Sequence, residues 1–151
     1  MENTEKTPEI IHVTYDGKDR QIRMTYGLQQ LLCSRVSSLE AVENMFLDAN
    51  LQTVLMNDVL AERDEKGNIE KEKEGTQWAM YLSVDDGEKL MDWISGHLVD
   101  FFISRSQAQQ KATGKVMDLI KEMSKTLEIV QEKGKELSPA LNGSKDSASK
   151  N

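Results

Sequence analysis

The spacing of apolar residues in the last third of the chain limits its fold more than any other feature. The segment KLMDWISGHLVDFFIS, residues 89–104, places apolar side chains over a wide helical face. A second stretch, residues 116–130, repeats them at three- and four-residue intervals, which predicts an amphipathic helix. A helix of this kind must cover its apolar stripe, whose members are Val116, Leu119, Ile120, Met123, Leu127 and Val130.

The first of these segments predicts the core helix of a folded domain, beginning near residue 84. Ser83, followed by Asp85, Asp86 and Glu88, is typical of a helix start. The hydroxyl caps free N–H groups, and the carboxylates favour the positive end of the helix dipole. Gly96 lies inside this helix, where glycine costs about 1 kcal/mol relative to alanine. We therefore expect another helix to approach closely at Gly96.

The second segment predicts a C-terminal amphipathic helix within residues 111–137. Gly114 predicts a break or kink near its start, and Gly134 and Pro139 predict its end. The low-complexity composition of residues 138–151 predicts a disordered tail.

The stripe of the second helix contains a partial seven-residue repeat. The repeat is too short and too interrupted to predict an autonomous coiled coil. Two alternatives stay open, because the helix can dock in a groove of a partner or fold back onto its own domain. The repeat consists of Val116, Met123, Val130 and Leu137, with Ile120, Leu127 and Leu141 between them.

The N-terminal part of the chain predicts a β-hairpin. EIIHVTY and QIRMTY are rich in strand-forming residues, and they flank DGKD, whose Asp-Gly pair signals a tight turn. One face of this ribbon is apolar, and an isolated hairpin is marginal in water, so we expect that face to pack on helices. The polar residues 1–8, which end in Pro8, are predicted to be a disordered arm.

The centre of the chain predicts two or three short helices joined by tight turns. Apolar residues recur at helical spacing through residues 28–60, with the serines at 37 and 38 and with Asn50 as candidate N-caps. Residues 62–75 are almost wholly charged and contain glycine, which predicts a mobile loop. The run WAMYLS, residues 78–83, predicts a short strand.

These elements predict an α+β fold that is mostly α. An N-terminal β-hairpin packs on a small bundle of helices, followed by a long C-terminal amphipathic helix and a disordered tail. The hairpin and the short helices are assigned to one domain, residues 9–110, and the amphipathic helix to residues 111–137.

Charge and composition argue against several kinds of function. The 151 residues carry a formal net charge of -7, and an acidic chain repels the phosphate backbone, so we expect no binding to nucleic acid. No window contains the roughly 18 apolar residues that span a bilayer, and the polar N-terminus lacks the pattern of a signal peptide. The single cysteine, Cys33, cannot form an internal disulfide and is predicted to be a buried small hydrophobe. These features predict a cytoplasmic protein.

Reactive side chains form no convergent set in the sequence. His97 and Asp100 share a helix face, but two residues without a third ligand are weak evidence for a metal. His12, the other histidine, lies in a predicted strand, and the adjacent Asp85 and Asp86 point in different directions, unlike a proton-sharing dyad. There is also no phosphate-binding loop. We therefore predict no catalytic residue, no metal and no cofactor, and a binding protein rather than an enzyme.

Three segments resemble a known family. MTYGLQQLL, VLAERDEKGNI and LSVDDGEKLMDWISGHLVDFFISR occur in an order similar to that in tail assembly chaperones of long-tailed bacteriophages. The resemblance covers about residues 10–106 and leaves out the C-terminal segment. Members of this family open with a β-hairpin and continue through short helices, and many are made in two lengths through ribosomal frameshifting.

The resemblance implies a function in tail assembly. Such chaperones bind the long helical tape-measure protein, keep it soluble and recruit tail-tube subunits around it. They leave before the tail is complete, which implies a location in the host cytoplasm and absence from the mature virion. The implied partners are thus the tape-measure protein and the tail-tube protein, with no membrane and with homo-oligomerisation left open.

A physical hypothesis for the partner-binding surface follows from that role. An acidic protein with an exposed apolar groove would cover the apolar stripe of a helical partner and keep the complex in solution by its charge. The expected affinity is moderate, since binding must be reversible. The candidate partner-binding residues are Trp93, Ile94, His97, Phe101 and Phe102, extended by Val116, Ile120, Met123, Leu127 and Val130.

Two other functional classes compete with this interpretation. A structural virion protein, such as an adaptor or a baseplate-associated component, would stay in the finished particle. An acidic regulator would bind a host protein and would not be required for tail assembly.

Overall fold

A computed structural model describes the backbone of residues 5–143 and the side chains of residues 5–135. The chain divides into two compact units, Met1–Arg105 and Ser106–Asn151. The fold is α+β and mostly helical, with an N-terminal hairpin and a long final helix, which confirms the predicted fold class. Within the described range, no helix is both long and apolar enough to cross a membrane.

The hairpin forms where the sequence predicts it. Strands β1 (Ile10–Tyr15) and β2 (Lys18–Arg23) are antiparallel and are joined by a two-residue turn. Asp16 and Gly17 have φ values of 49° and 73° in that turn. Two successive positive φ angles suit the right-handed twist of the strands, and Asp-Gly tolerates them. Because the turn needs only two residues, β2 begins at Lys18, three residues earlier than the predicted run QIRMTY.

Three short helices follow the hairpin: α1 (Tyr26–Arg35), α2 (Leu39–Met45) and α3 (Ala49–Leu60). Ser38 caps α2, as predicted, with its hydroxyl accepting a hydrogen bond from the Ala41 N–H at 3.1 Å. The prediction of Asn50 as the cap of the third helix is wrong. Asp48 caps α3 instead, and its carboxylate accepts from the Leu51 N–H at 3.0 Å.

The segment between α3 and the last helix has more local structure than predicted. Arg63 and Ile69 form an isolated antiparallel bridge within the charged residues 62–75, and a 3₁₀ helix spans Lys71–Lys73. The predicted loop therefore contains local backbone structure at two places.

The predicted strand at residues 78–83 is a 3₁₀ helix, Trp78–Tyr81. The physical reason lies in α3, because the Asn57 side chain accepts a hydrogen bond from the Ala79 N–H at 2.9 Å. That N–H is thus not free for a neighbouring strand. Only Leu82 pairs with the hairpin, through an isolated bridge to Tyr15.

The last helix, α4 (Val84–Gly143), begins as predicted. The Ser83 hydroxyl accepts from the Asp86 N–H at 3.1 Å and donates to the Asp86 carboxylate at the same distance. Helix α4 then runs through Gly114, so the predicted break there is wrong. A single glycine costs about 1 kcal/mol, which the helix-forming residues around it outweigh.

The predicted end of this helix is also wrong. Helix α4 continues past Gly134 and Pro139 to Gly143, so the first six residues of the predicted tail are helical. A proline removes one backbone hydrogen bond, and here the helix extends four residues beyond it. Residues 144–151 of the predicted tail lie outside the described residues, as do the side chains of Leu137 and Leu141.

The core of the first unit joins the hairpin to all four helices. Ile11, Val13 and Ile22 form the apolar face of the hairpin and are buried, as predicted. They belong to one cluster with the helical side chains, so the hairpin does not rely on its own pairing. The helices contribute Leu32, Val42, Met45, Leu55, Val59, Leu60, Leu90, Met91, Trp93, Ile94 and Leu98.

Residues 7 and 8 of the predicted disordered arm are bound to α4. The Thr7 N–H donates to the Asp100 carboxylate at 3.1 Å. At Gly96, an added Cβ would lie 2.6 Å from Thr7 Oγ1 and 3.0 Å from Thr7 Cγ2. The sequence correctly placed a close approach at Gly96, but the approaching segment is the N-terminal arm and not another helix. Residues 1–4 lie outside the described residues.

We expect Gly96→Ala to destabilise the first unit despite the higher helix propensity of alanine. The new methyl group cannot fit beside Thr7, and overpacking of this kind costs about 1–3 kcal/mol. Chemical denaturation would measure the free energy of unfolding. Gly114→Ala is the matched control, because a Cβ there meets nothing within 4 Å and should stabilise the helix. Equal stabilisation by both changes would contradict the close contact with Thr7.

Candidate functional site

Three of the ten candidate partner-binding residues are buried within the first unit. Trp93 and Ile94 are 4% and 0% exposed and pack in the core. His97 is 9% exposed. The predicted exposed groove lined by these three side chains is therefore wrong. The wide apolar face of this segment is covered by the hairpin, by the short helices and by the N-terminal arm.

Trp93 and His97 bind the same backbone carbonyl. The Trp93 indole Nε1–H donates to the Pro8 carbonyl oxygen at 2.7 Å, and His97 Nε2 lies 2.9 Å from the same oxygen. A carbonyl only accepts, so His97 Nε2 carries a proton and donates. The two rings meet edge to face with centroids 4.7 Å apart. Together with Asp100, these side chains fix the arm, which gives the predicted His97–Asp100 pair a structural role.

Phe101 and Phe102 are half-buried and contact each other edge to face, with ring centroids 5.3 Å apart. The Arg105 guanidinium lies 5.1 Å from the Phe101 ring centroid, a distance that allows a cation–π interaction. Phe101 also borders a shallow cavity of about 290 Å³ beside His97. These two residues remain accessible in part, unlike Trp93 and Ile94.

The other five candidates lie in the second unit and are exposed. Their side chains are between 50% and 60% exposed, and all lie on the stripe identified in the sequence. Because α4 is continuous here, the stripe is an uninterrupted helical surface, which we call the C-terminal stripe. The C-terminal stripe comprises these five candidates, Val116, Ile120, Met123, Leu127 and Val130, and Leu119, the sixth apolar residue of the sequence stripe, is also exposed beside them.

Sequence reasoning missed a second apolar surface, a groove in the first unit. The groove has a volume of about 570 Å³ and lies between the α2–α3 turn, the 3₁₀ helix at residues 78–81 and the first turns of α4. We call it the α3–α4 groove. Its apolar lining comes from Phe46, Met56, Leu82, Val84 and Met91.

Two hydrogen-bond sets hold the walls of the α3–α4 groove in place. The Gln52 side-chain amide donates to the carbonyl oxygens of Met45 and Phe46, at 3.0 and 2.8 Å, and so fixes the α2–α3 turn. On the other wall, the Asn57 amide donates to the Gln77 side chain at 3.2 Å and its oxygen accepts from Ala79. Side-chain hydrogen bonds therefore hold the backbone on both sides of the groove.

Several exposed apolar side chains adjoin this groove along the chain. Leu47 is 89% exposed next to Phe46, and Met80 is 79% exposed next to Ala79. Large apolar residues in turns are the sequence signal that points to such a surface. In the sequence, however, Phe46 and Leu47 read as part of a helical stripe, so the groove was not predicted.

Burial and ion pairing shift the pKa values of individual side chains in the first unit. Burial raises the pKa of the Cys33 thiol, and the nearby Arg105 guanidinium opposes that shift. The hydrogen bond from Lys73 lowers the pKa of the Glu62 carboxyl at an exposed site. Among the side chains of residues 5–135, no three of the His, Cys, Asp and Glu types lie close enough to hold a metal ion.

Comparisons with known proteins found no match to this chain among protein-family models, curated proteins or solved structures.

We predict that Cys33 reacts slowly with thiol reagents in the folded protein. The thiol is half-buried and its pKa is raised, so the reactive thiolate is scarcer at a given pH than in an unfolded chain. The rate of labelling by Ellman's reagent at mildly alkaline pH should be several-fold lower than in urea. The native rate should still rise with pH above the range where an ordinary thiol levels off. Equal rates in buffer and in urea would contradict the burial of Cys33.

Proposed function

We propose that this protein is a tail assembly chaperone of a long-tailed bacteriophage. In this role it binds the helical tape-measure protein, keeps it soluble and helps to recruit tail-tube subunits during assembly. It acts by binding and not by catalysis, in the host cytoplasm, and leaves before the virion is complete. The observation that supports the proposal best is the exposed C-terminal stripe, which suits the apolar face of another helix.

The C-terminal stripe has the dimensions of a helix-binding surface. Residues 116–130 span about 21 Å along the helix axis, which is close to four turns. The members of the stripe recur every three or four residues, as in helices that pack side by side. Each is at least half exposed, so a partner helix would remove substantial apolar surface from water.

The residues around the stripe suit reversible binding. Ser124, Thr126 and Gln131 flank it with uncharged polar side chains, and the opposite face carries Asp118 and Lys125. A polar rim around a narrow apolar centre gives a moderate affinity, because only the centre is fully desolvated. Moderate affinity is what a chaperone needs when the tail tube replaces it on the tape-measure protein.

The charge of the first unit supports the solubilising part of the proposal. Residues 1–105 contain 11 basic and 20 acidic residues, a formal net charge of -9. A highly charged domain carried beside an apolar complex opposes aggregation through mutual repulsion. The acidic unit would therefore keep a bound tape-measure helix in solution until the tube surrounds it.

We predict that Leu127→Asp abolishes the interaction with the tape-measure protein encoded by the same phage. A carboxylate at the centre of the stripe would have to be desolvated against an apolar partner. Co-expression followed by size-exclusion chromatography measures co-elution and the soluble fraction of the tape-measure protein. Wild-type chain should co-elute and raise that fraction, and the variant should do neither while keeping its helical circular dichroism.

Ile129→Asp is the matched control for this experiment. Ile129 is 54% exposed, close to the 60% of Leu127, but lies two residues away, on the far side of the helix. It should leave co-elution unchanged. A tape-measure protein that is soluble alone, or that never co-elutes with the wild-type chain, would overturn the proposal. Detection of the chain in purified virions would favour a structural virion protein instead.

A further inference from the structure

We propose that the α3–α4 groove is a second docking site, which accepts an amphipathic protein segment with basic residues beside its apolar side chains. The groove belongs to the first unit and shares no residue with the C-terminal stripe. The inference therefore stands apart from the proposed role in tail assembly. It rests on the apolar lining of the groove, on the sign of its charges and on a glycine that lines it.

The lining of the groove leaves apolar surface in contact with water. Val84, at the first turn of α4, is 78% exposed, and Phe46 faces the groove from the α2–α3 turn with 47% exposure. Met56, which is half-buried, and Met91, which is buried, also line the groove. Methionine side chains are flexible and polarisable, so they adapt to the shape of an incoming apolar side chain. A volume of about 570 Å³ accommodates a few large side chains of one segment.

The charged side chains that line the groove are all acidic. Glu88 and Asp92 lie one helical turn apart on α4 and both line the groove, whereas no lysine or arginine does. Lys89, the nearest cation along the chain, is directed to the hairpin, where its ammonium donates to the His12 carbonyl at 2.7 Å. Complementary charge selects a partner and speeds its association, so this groove favours lysine or arginine over acidic residues.

Gly87 is buried and lines the groove. It lies in the first turn of α4, where alanine would favour the helix, and an added Cβ would meet only Met56 Cε, at 3.9 Å. That distance is an ordinary contact, so packing does not require a glycine here, in contrast to Gly96. The glycine therefore leaves a space of about one methyl group beside Met56, which a larger side chain at this position would overfill.

A pair of synthetic peptides tests the proposal. One is a fluorescein-labelled amphipathic helix of leucine and lysine, about 15 residues or four turns long, and the other carries glutamate in place of lysine. Binding to the full-length chain is measured by fluorescence anisotropy. Leu127→Asp is used as the background, so that the C-terminal stripe does not capture the peptide. We expect saturable binding of the leucine–lysine peptide and at least about tenfold weaker binding of the leucine–glutamate peptide.

Filling the groove should block this binding. Gly87→Leu places a side chain over Met56 and should weaken the binding of the leucine–lysine peptide by about tenfold or more. Gly114→Leu is the matched control, since it lies in the same helix where a Cβ meets nothing within 4 Å, and should leave binding unchanged. Circular dichroism and thermal melting of both variants would show whether each is folded before its binding is compared.

A charge-matched pair separates recognition from general attraction to an acidic protein. Glu88→Gln with Asp92→Asn should weaken binding more than Glu65→Gln with Glu72→Gln, although both pairs remove two negative charges. Equal effects of the two pairs, equal binding of the two peptides, or unchanged binding to Gly87→Leu would each overturn the proposal. None of these outcomes bears on co-elution with the tape-measure protein, so the two proposals fail independently.

Discussion

The first unit depends on the burial of one face of α4. Leu90, Ile94 and Leu98 recur at four-residue intervals and are almost completely inaccessible to water. The hairpin, α1, α2 and α3 are each too small to form a core alone, and their buried side chains join this row in a single cluster. Full burial of one leucine or isoleucine stabilises a protein by about 1.5–3 kcal/mol, so this row anchors elements that would be marginal in isolation.

The same helix also fixes the N-terminal arm through polar contacts that surround one carbonyl oxygen. Trp93 and His97 donate to Pro8, and Asp100 accepts from Thr7, with Gly96 leaving space for the arm between them. A buried hydrogen-bond donor that lacks an acceptor costs free energy. The arm supplies the acceptor for the Trp93 and His97 donors on α4. In the sequence, this helix face, with its tryptophan and histidine, resembles a partner-binding groove. In the structure, the chain's own N-terminal arm covers it.

The C-terminal stripe and the α3–α4 groove are both accessible, and they differ in kind. The C-terminal stripe is a straight row with a mixed-charge far side, suited to another helix. The α3–α4 groove is concave, rich in methionine and bordered by Glu88 and Asp92. Lining residues such as Phe46 and Leu82 come from segments far apart in the chain. This is why periodicity revealed the stripe and not the groove, since a periodic pattern reports one element at a time.

The sequence by itself determined the elements whose causes are local. The Asp16-Gly17 turn, the caps at Ser38 and Ser83 and the spacing of the C-terminal stripe depend on residues close in the chain. Tertiary structure decided what covers each apolar face and where backbone groups find partners. Contacts such as Trp93 to Pro8, 85 residues apart, and the walls of the α3–α4 groove exist only after the chain has folded. A local sequence pattern describes neighbouring residues only. It does not predict contacts between residues that lie far apart in the chain and meet only when it folds.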